Sequence, residues 1–279
     1  RALQLATIVP ASYFHLEGLG GIAPGYWANL LVLDDLAGLD INSVYYRGRL
    51  VAQEGEPLFE APRPEVFSKG QTVNIKPFAL DDLALHHAGG TFPVIEIIPS
   101  QVLTRWRTEP VSGVNGVVAA DPERDLLKLV VVERHRATGN IGKGLVKGFG
   151  LKKGALATSV AHDSHNIVAV GVTDKDIYAA IREIETCQGG LVVVADGQVV
   201  ASLALPVAGL LSEQSLEEVV AKLADLERAA SGLGCVTPSP FSVLSFLALP
   251  VMPELRLTDL GLVDVRKGQL LSHLPARAG

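Results

Sequence analysis

The sequence predicts an α+β fold of mixed or antiparallel sheets with packed helices. Three observations carry that expectation. Short apolar runs are joined by tight turn signals, as in Leu191 to Ala195, Asp196-Gly197 and Gln198 to Ala204, where Asp-Gly supplies the positive φ angles of a two-residue hairpin. Two segments carry helical periodicity between cap and stop signals. Strands and helices follow one another without the regular rhythm of a parallel βαβ sheet.

Taken in order, Leu3, Leu5 and Ala6 give a weak helical stripe expected to end at Pro10, since proline breaks the ladder and restricts the residue before it. Gly18, Gly20, Gly21 and Pro24-Gly25 mark turns, and Leu30 to Leu33 reads as a short strand. Val44 to Val51 and Gln53-Glu-Gly55 form a hairpin-like pattern. Pro62, Pro64, Ser68 and Gly70 place a linker within residues 61–75. Beyond it, Val94 to Ile98 and Val114 to Ala120 read as strands. Asp121-Pro-Glu-Arg-Asp125 is expected to turn the second of these into an antiparallel partner, Leu126 to Glu133. A glycine-rich approach, Gly139 to Gly154, leads to a polar cluster, Ala157 to Asn166, and then to the apolar run Ile167 to Val172.

The helices follow. Thr173 starts one with Ile177, Ala180, Ile181 and Ile184 on a single face, stopped by Gly189-Gly190. The box Ser215-x-x-Glu218 starts another, with Leu216, Val219, Val220, Leu223 and Leu226 on one stripe and an end near Gly232. Its Glu218 and Lys222 are spaced for an ion pair.

Bulk properties narrow the function classes. A chain of 279 residues, 48% hydrophobic and 19% charged, is long enough for two globular domains. A net charge of −6 without a long basic run argues against a nucleic-acid partner. The longest apolar runs fall short of a membrane span, and no signal-peptide pattern precedes them. Cys187 and Cys235 form neither a disulfide framework nor a CxxC pair, which fits a reducing cytoplasm. The chain opens at Arg1 in mid-helix style, without an N-cap, and its one methionine is Met252, so residues are expected upstream.

The densest supply of chemistry is His162, Asp163 and His165 in the polar cluster, with Glu133 and His135 a strand earlier. On a helix His162 and His165 would share a face, but the following Ile167 to Val172 suggests a strand, where that spacing puts them on opposite sides. Three readings stand open: a structural polar network, one wall of an active site completed elsewhere, or a metal site, which needs three or four converging ligands. His15 and His86-His87 read as surface or packing residues, and His273 as part of a frayed tail. The glycines miss both phosphate fingerprints, because Lys143 is followed by Gly144 and Gly148-x-Gly150 lacks the third glycine. Close backbone packing is the expected use for them. Ser159 and Ser164 lack a G-x-S-x-G elbow, neither cysteine has an activating neighbour, and the H-x-E…P-C-x-x-C zinc deaminase pattern is absent. No complete catalytic constellation exists in this chain.

Two resemblances add to this reading. Ala2-Leu-Gln-Leu-Ala-Thr7, Pro10-Ala11, Gly20-Gly-Ile-Ala-Pro-Gly25, Ala28-Asn-Leu-Leu-Val-Leu-Asp-Asp35 and Val44-Tyr-Tyr-Arg-Gly-Arg-Leu-Val51 resemble the closing segment of the amidohydrolase superfamily, with Asn29 where that pattern has Asp. Glu133-Arg-His135, Gly148-Phe-Gly-Leu151, Ser159-Val-Ala-His-Asp-Ser-His-Asn-Ile167, Gly189-Gly190, Asp196-Gly197 and Leu205-Pro-Val-Ala-Gly-Leu-Leu211 resemble, in order, the C-terminal domain of bacterial adenine deaminase.

The resemblance implies that residues 1–64 are the last barrel helix and the small β-sandwich remnant of an amidohydrolase, and residues 65–279 an adenine deaminase C-terminal α+β domain. It implies a cytoplasmic, homo-oligomeric parent, a dimer, acting in purine metabolism. That parent converts adenine and water to hypoxanthine and ammonia with a divalent metal pair, manganese or iron. The metal ligands, an HxH pair among them, belong to a barrel upstream of this chain, so none is carried over and the chain alone is expected to be inactive. Adenine and that metal-binding barrel are the implied partners, with no nucleic acid and no membrane. In this frame His162, Asp163 and His165, backed by Glu133 and His135, would face the barrel and shape or close its purine site. The alternative is a non-catalytic structural and dimerisation module; a solitary hydrolase with its own metal is a third reading.

Overall fold

Turn chemistry and two-sided burial organise the described residues, 1–60 and 70–271, of the computed structural model. The chain divides into two units, Arg1–Glu65 and Val66–Gly279. The expected linker falls mostly outside the described residues, as does His273. The fold is the predicted α+β class, with mostly antiparallel sheets.

In the first unit, α1 (Ala2–Ala6) and α2 (Ile8–Tyr13) are separated at Thr7, not at Pro10. Thr7 leaves the helical region at φ −130°, and its hydroxyl donates to the Leu3 carbonyl at 2.6 Å. Pro10 sits in the first turn of α2, where a missing amide proton leaves no bond unmade. Strands β1 (Leu30–Asp35), β2 (Asp40–Tyr46), β3 (Arg49–Gln53) and β4 (Glu56–Pro57) form one antiparallel sheet in chain order. Arg47-Gly48 and Glu54-Gly55, all at positive φ, turn its two later hairpins. The Asn29 side-chain oxygen accepts the Arg47 amide at 2.8 Å, so the departure from Asp keeps an acceptor at this turn. Leu31, Val32, Ile41 and Tyr46 remain exposed on the small sheet.

In the second unit the strands are β5 (Leu85–His86), β6 (Gly90–Ile97), β7 (Thr104–Val111), β8 (Gly113–Val114), β9 (Val117–Val118), β10 (Leu127–Val132), β11 (Ile141–Lys147), β12 (Ala155–Thr158), β13 (Ile167–Gly171), β14 (Gly190–Ala195), β15 (Gln198–Ala204), β16 (Leu255–Thr258), β17 (Gly261–Asp264) and β18 (Gln269–Leu270). The helices are α3 (Asp174–Thr186), α4 (Leu216–Gly232) and α5 (Pro240–Phe246). Eight strands make the main sheet in the order β15-β14-β12-β13-β10-β11-β6-β7. Every neighbouring pair is antiparallel except β11 with β6. Two three-stranded sheets, β16-β17-β18 and β5-β9-β8, accompany it.

Both faces of the central strands are covered, which is why β13 and β14 read as unbroken apolar runs and β10 as one broken only at Lys128. Val130, Val132, Ala155, Ala157, Ala169 and Val192 share one core with Ile177, Ala180, Ile181 and Ile184 of α3. Each fully buried isoleucine there stabilises by about 1.5–3 kcal/mol relative to exposure. Leu129, Val131, Leu156, Val168 and Val193 face the other core, with Leu226 of α4, Leu244 of α5 and Leu257 and Leu262 of the small sheet. The polar member of β10, Lys128, is buried. Its ammonium donates to the Leu83 carbonyl at 3.1 Å and pairs with Asp174 at the start of α3.

The helix α3 follows its sequence signals: the Thr173 hydroxyl caps it by accepting from the Asp176 amide. Other expectations are corrected. Val114 to Ala120 is not one strand; Asn115-Gly116, at φ 53° and 74°, folds it into the β8–β9 hairpin. Leu126 to Glu133 pairs with β11 and β13, and touches the preceding segment through the single Asp121–Leu126 bridge. The α4 stripe is only partly buried, since Leu216, Val220 and Leu223 are exposed. Among the described residues Glu218 forms no ion pair with Lys222; its carboxylate turns back to accept the Ser215 amide at 2.9 Å. One glycine is a contact requirement. A Cβ on Gly142 would lie 1.8 Å from the Thr258 carbonyl oxygen, so β11 meets the small sheet backbone to backbone.

Candidate functional site

The loops that follow β10, β12 and β16 come together at one end of the main sheet, and they carry the sequence-predicted residues. His162 and His165 lie in the loop between β12 and β13, not on a strand. The loop is tied down at its start by Ser159. This buried hydroxyl donates to the Gly209 carbonyl at 2.6 Å and accepts the Gly190 amide at 2.8 Å.

Glu133 organises the loop after β10. Its carboxylate accepts the amides of His135 at 2.5 Å, Arg136 at 2.8 Å and Thr138 at 3.0 Å, and the Thr138 hydroxyl at 3.1 Å. Burial pushes its pKa up, but the amides of Thr138, Arg136 and His135 and the Thr138 hydroxyl outweigh burial, and the net shift is downward. These lone pairs are engaged within the loop. Next to it, Arg134 is almost wholly buried. It donates through Nε to the His165 carbonyl, through Nη1 to Thr72 at 2.6 Å and through Nη2 to Ala208 at 3.0 Å. Burial lowers its pKa.

His135 is exposed, and its Nε2 lies 2.8 Å from the Ser164 carbonyl. The His162 ring packs on Phe246 with centroids 4.5 Å apart. Asp163 is exposed. Asn166 is buried, donates through Nδ2 to Asp259 at 3.3 Å, and shares that carboxylate with Asn140 at 2.9 Å. The Asn166 side-chain oxygen and His165 Nδ1 are buried without a hydrogen-bond partner among the described residues. The structure therefore joins His135, His165 and Arg134 across two loops, and sets His162 apart on its aromatic neighbour.

His165 is held below its ordinary value of 6.5, first by burial, then by Arg134, His162 and His135, with Asp163 pulling the other way. The imidazole is neutral at neutral pH. Because the unfolded chain takes up this proton first, the stabilisation is full above pH 6.5 and is lost as pH falls through that value toward the lower folded one. Asparagine tolerates the φ of 49° at this position. His165→Asn is therefore expected to flatten the fall in melting temperature between about pH 7 and about pH 5. An unchanged slope would contradict the assignment.

Sequence reasoning missed Arg134 and Asp259 as members of the cluster. Arg134 escapes because a buried arginine runs against its usual exposure; Asp259 escapes because its partners lie 93 and 119 residues away. Among the described residues no group of three or more His, Cys, Asp or Glu could hold a metal ion. The groups of this cluster left at the surface are the exposed Asp163 and His135 and the half-buried His162.

The other sequence candidates find packing roles. The Asp125 carboxylate accepts the amides of Gly148 at 2.7 Å and Gly150 at 2.8 Å, so the chain's own anion fills the glycine loop. Burial pushes the Cys187 thiol up to about 11, with a contribution from Glu183, and burial likewise raises Cys235. Both are poor nucleophiles. His15 and His86 are exposed, and His87 packs edge-on against Phe92 with centroids 5.2 Å apart.

Comparison with known proteins gives a consistent picture. The family model described as "Adenine deaminase C-terminal domain" matches residues 101–269. An adenine deaminase of Dehalococcoides mccartyi is 54% identical over 271 residues, covering 97% of this chain and 48% of its own length. "Adenine deaminase 2" of Carboxydothermus hydrogenoformans is 47% identical over 264 residues, 94% of this chain and 46% of its own length. An adenine deaminase of Geobacillus kaustophilus is 46% identical over 275 residues, 97% and 48% respectively. The chain spans about half the length of the curated relatives it matches.

Proposed function

Since the chain belongs to the adenine deaminase C-terminal domain family, we propose that it is the C-terminal portion of an adenine deaminase, the hydrolase that converts adenine and water to hypoxanthine and ammonia. The observation that carries this reading is the 54% identity sustained over 97% of the chain. The chemistry belongs to the part of the parent outside this chain, where a divalent metal pair, manganese or iron, activates water. The described residues do not fit that metal pair, so no catalytic step is assigned to them. The parent is read as a cytoplasmic homodimer. Among the described residues, no helix is long and apolar enough to cross a membrane.

In this reading residues 1–64 are the last barrel helix and returning sandwich strands of an amidohydrolase, and residues 65–279 the family's α+β domain. Support for the first part comes from the exposed Leu3, Leu5, Ile22, Leu31 and Ile41, apolar surface of the kind that a neighbouring body covers.

The cluster at the sheet end divides between two roles. His162, Asp163 and His165 form a wall of the purine site: the exposed Asp163 carboxylate and the partly exposed histidines offer hydrogen-bonding groups to a purine edge. Glu133 and His135 act behind them, because the Glu133 carboxylate is engaged by its own loop. That engagement favours a structural-module reading for this part of the cluster. In the full-length parent, His162→Ala with His165→Ala is expected to lower kcat/KM for adenine at least tenfold, equivalent to ~1.4 kcal/mol, with metal content unchanged. Wild-type turnover and KM together with a lowered melting temperature would sink the wall reading and leave the module.

A further inference from the structure

A cavity in this unit is lined in part by a buried cation with an unmade hydrogen bond. It measures about 300 Å³ and lies between the turn after β6, the start of α5 and strand β16. That volume is at the small end of the range for small-molecule sites. Ile97, Leu103, Val236, Phe246 and Leu247 give it an apolar lining, and Arg256 is its charged member.

Arg256 has no solvent exposure. Its Nε donates to the Met252 carbonyl at 2.6 Å and its Nη2 to the Val102 carbonyl. Its Nη1 has no partner among the described residues. The nearby carboxylate of Glu254 is engaged elsewhere, accepting the Trp106 amide at 2.8 Å and pairing with Arg266 at 2.7 Å. Buried guanidinium groups are ordinarily paired, because an uncompensated charge in an apolar setting is unfavourable. Burial lowers its pKa only to about 10, so the group stays cationic at neutral pH.

We propose that this cavity binds a small organic carboxylate with a flat apolar body, its carboxylate accepting from Arg256 Nη1 while the body lies against Phe246 and Val236. Charge and cavity wall each contribute a selective feature. The guanidinium demands an anion, as a planar donor suited to carboxylates; the lining excludes strongly hydrated inorganic ions. The proposal is independent of the adenine deaminase reading.

Benzoate is the probe, and its neutral isostere benzamide is the control, each titrated calorimetrically into the full chain at neutral pH. Benzoate is expected to bind saturably and at least tenfold more tightly than benzamide. Ser242 is an exposed residue of α5 that lines the cavity. Ser242→Trp fills the space while leaving Arg256 in place, and is expected to abolish benzoate binding with circular dichroism unchanged. Equal affinity for the two probes, benzoate binding that survives in folded Ser242→Trp, or no saturable binding below roughly millimolar benzoate would each overturn the proposal. The benzoate-to-benzamide ratio requires no substitution and so decides the question even if a variant fails to fold.

Discussion

Replacing Arg134 with methionine is expected to destabilise the chain by about 3–5 kcal/mol, read as a shift in the urea midpoint at constant slope. Methionine keeps much of the apolar stem but leaves the carbonyls of His165, Thr72 and Ala208 without their buried donor. Each orphaned acceptor costs about 1–3 kcal/mol. Relief of the buried charge offsets part of this, which is why the estimate lies below the sum of three full penalties. Arg134→Lys is expected to recover only a fraction, since an ammonium cannot span three acceptors set out for a planar fork. Gly209 has no side chain in the space beside the guanidinium, where a Cβ would stand 2.7 Å away. A loss under about 1 kcal/mol in Arg134→Met would show that the three bonds contribute little.

Gly142→Ala is the second large effect. Its new Cβ would meet the Thr258 carbonyl oxygen at 1.8 Å and the carbonyl carbon at 2.9 Å, both backbone atoms. No rotamer change relieves that, so β16 and β17 must move away from the main sheet. The expected loss is about 3 kcal/mol or more, with raised proteolytic sensitivity around residue 258. Gly144→Ala is the matched control one turn of the pleat away. Its Cβ would stand 3.2 Å from a Leu262 methyl, which can shift, and about 1 kcal/mol is expected. Equal effects at the two glycines would contradict the backbone-contact argument.

Local signals were legible in the sequence where one segment determines its own structure. The helix α3 followed from Thr173 and its four apolar positions, and the β14–β15 hairpin from Asp196-Gly197. The same type of signal, Asn115-Gly116, was outweighed by the apolar run around it, so a hairpin read as a strand. Strand order was not legible, because β12 lies between β13 and β14 through pairings set by the whole sheet. At the site, the histidines showed because polar residues crowded the entry to an apolar run. Arg134 and Asp259 did not, since their roles depend on residues far away in sequence. The glycine run showed in the sequence only as a run that misses both phosphate fingerprints; the carboxylate its amides hold, Asp125, could be identified only from the folded chain.

The closure of the main sheet on both faces has a consequence for where chemistry can occur. With α3 on one side and α4, α5 and the small sheet on the other, a solute has no open broadside approach to the central strands. Access is left to the strand ends, as in a book that can be read only along its edge. The loops after β10, β12 and β16 converge on one such edge. The placement of the histidine cluster follows from this architecture, and substitutions that leave the layers intact can vary the edge without disturbing what it is mounted on.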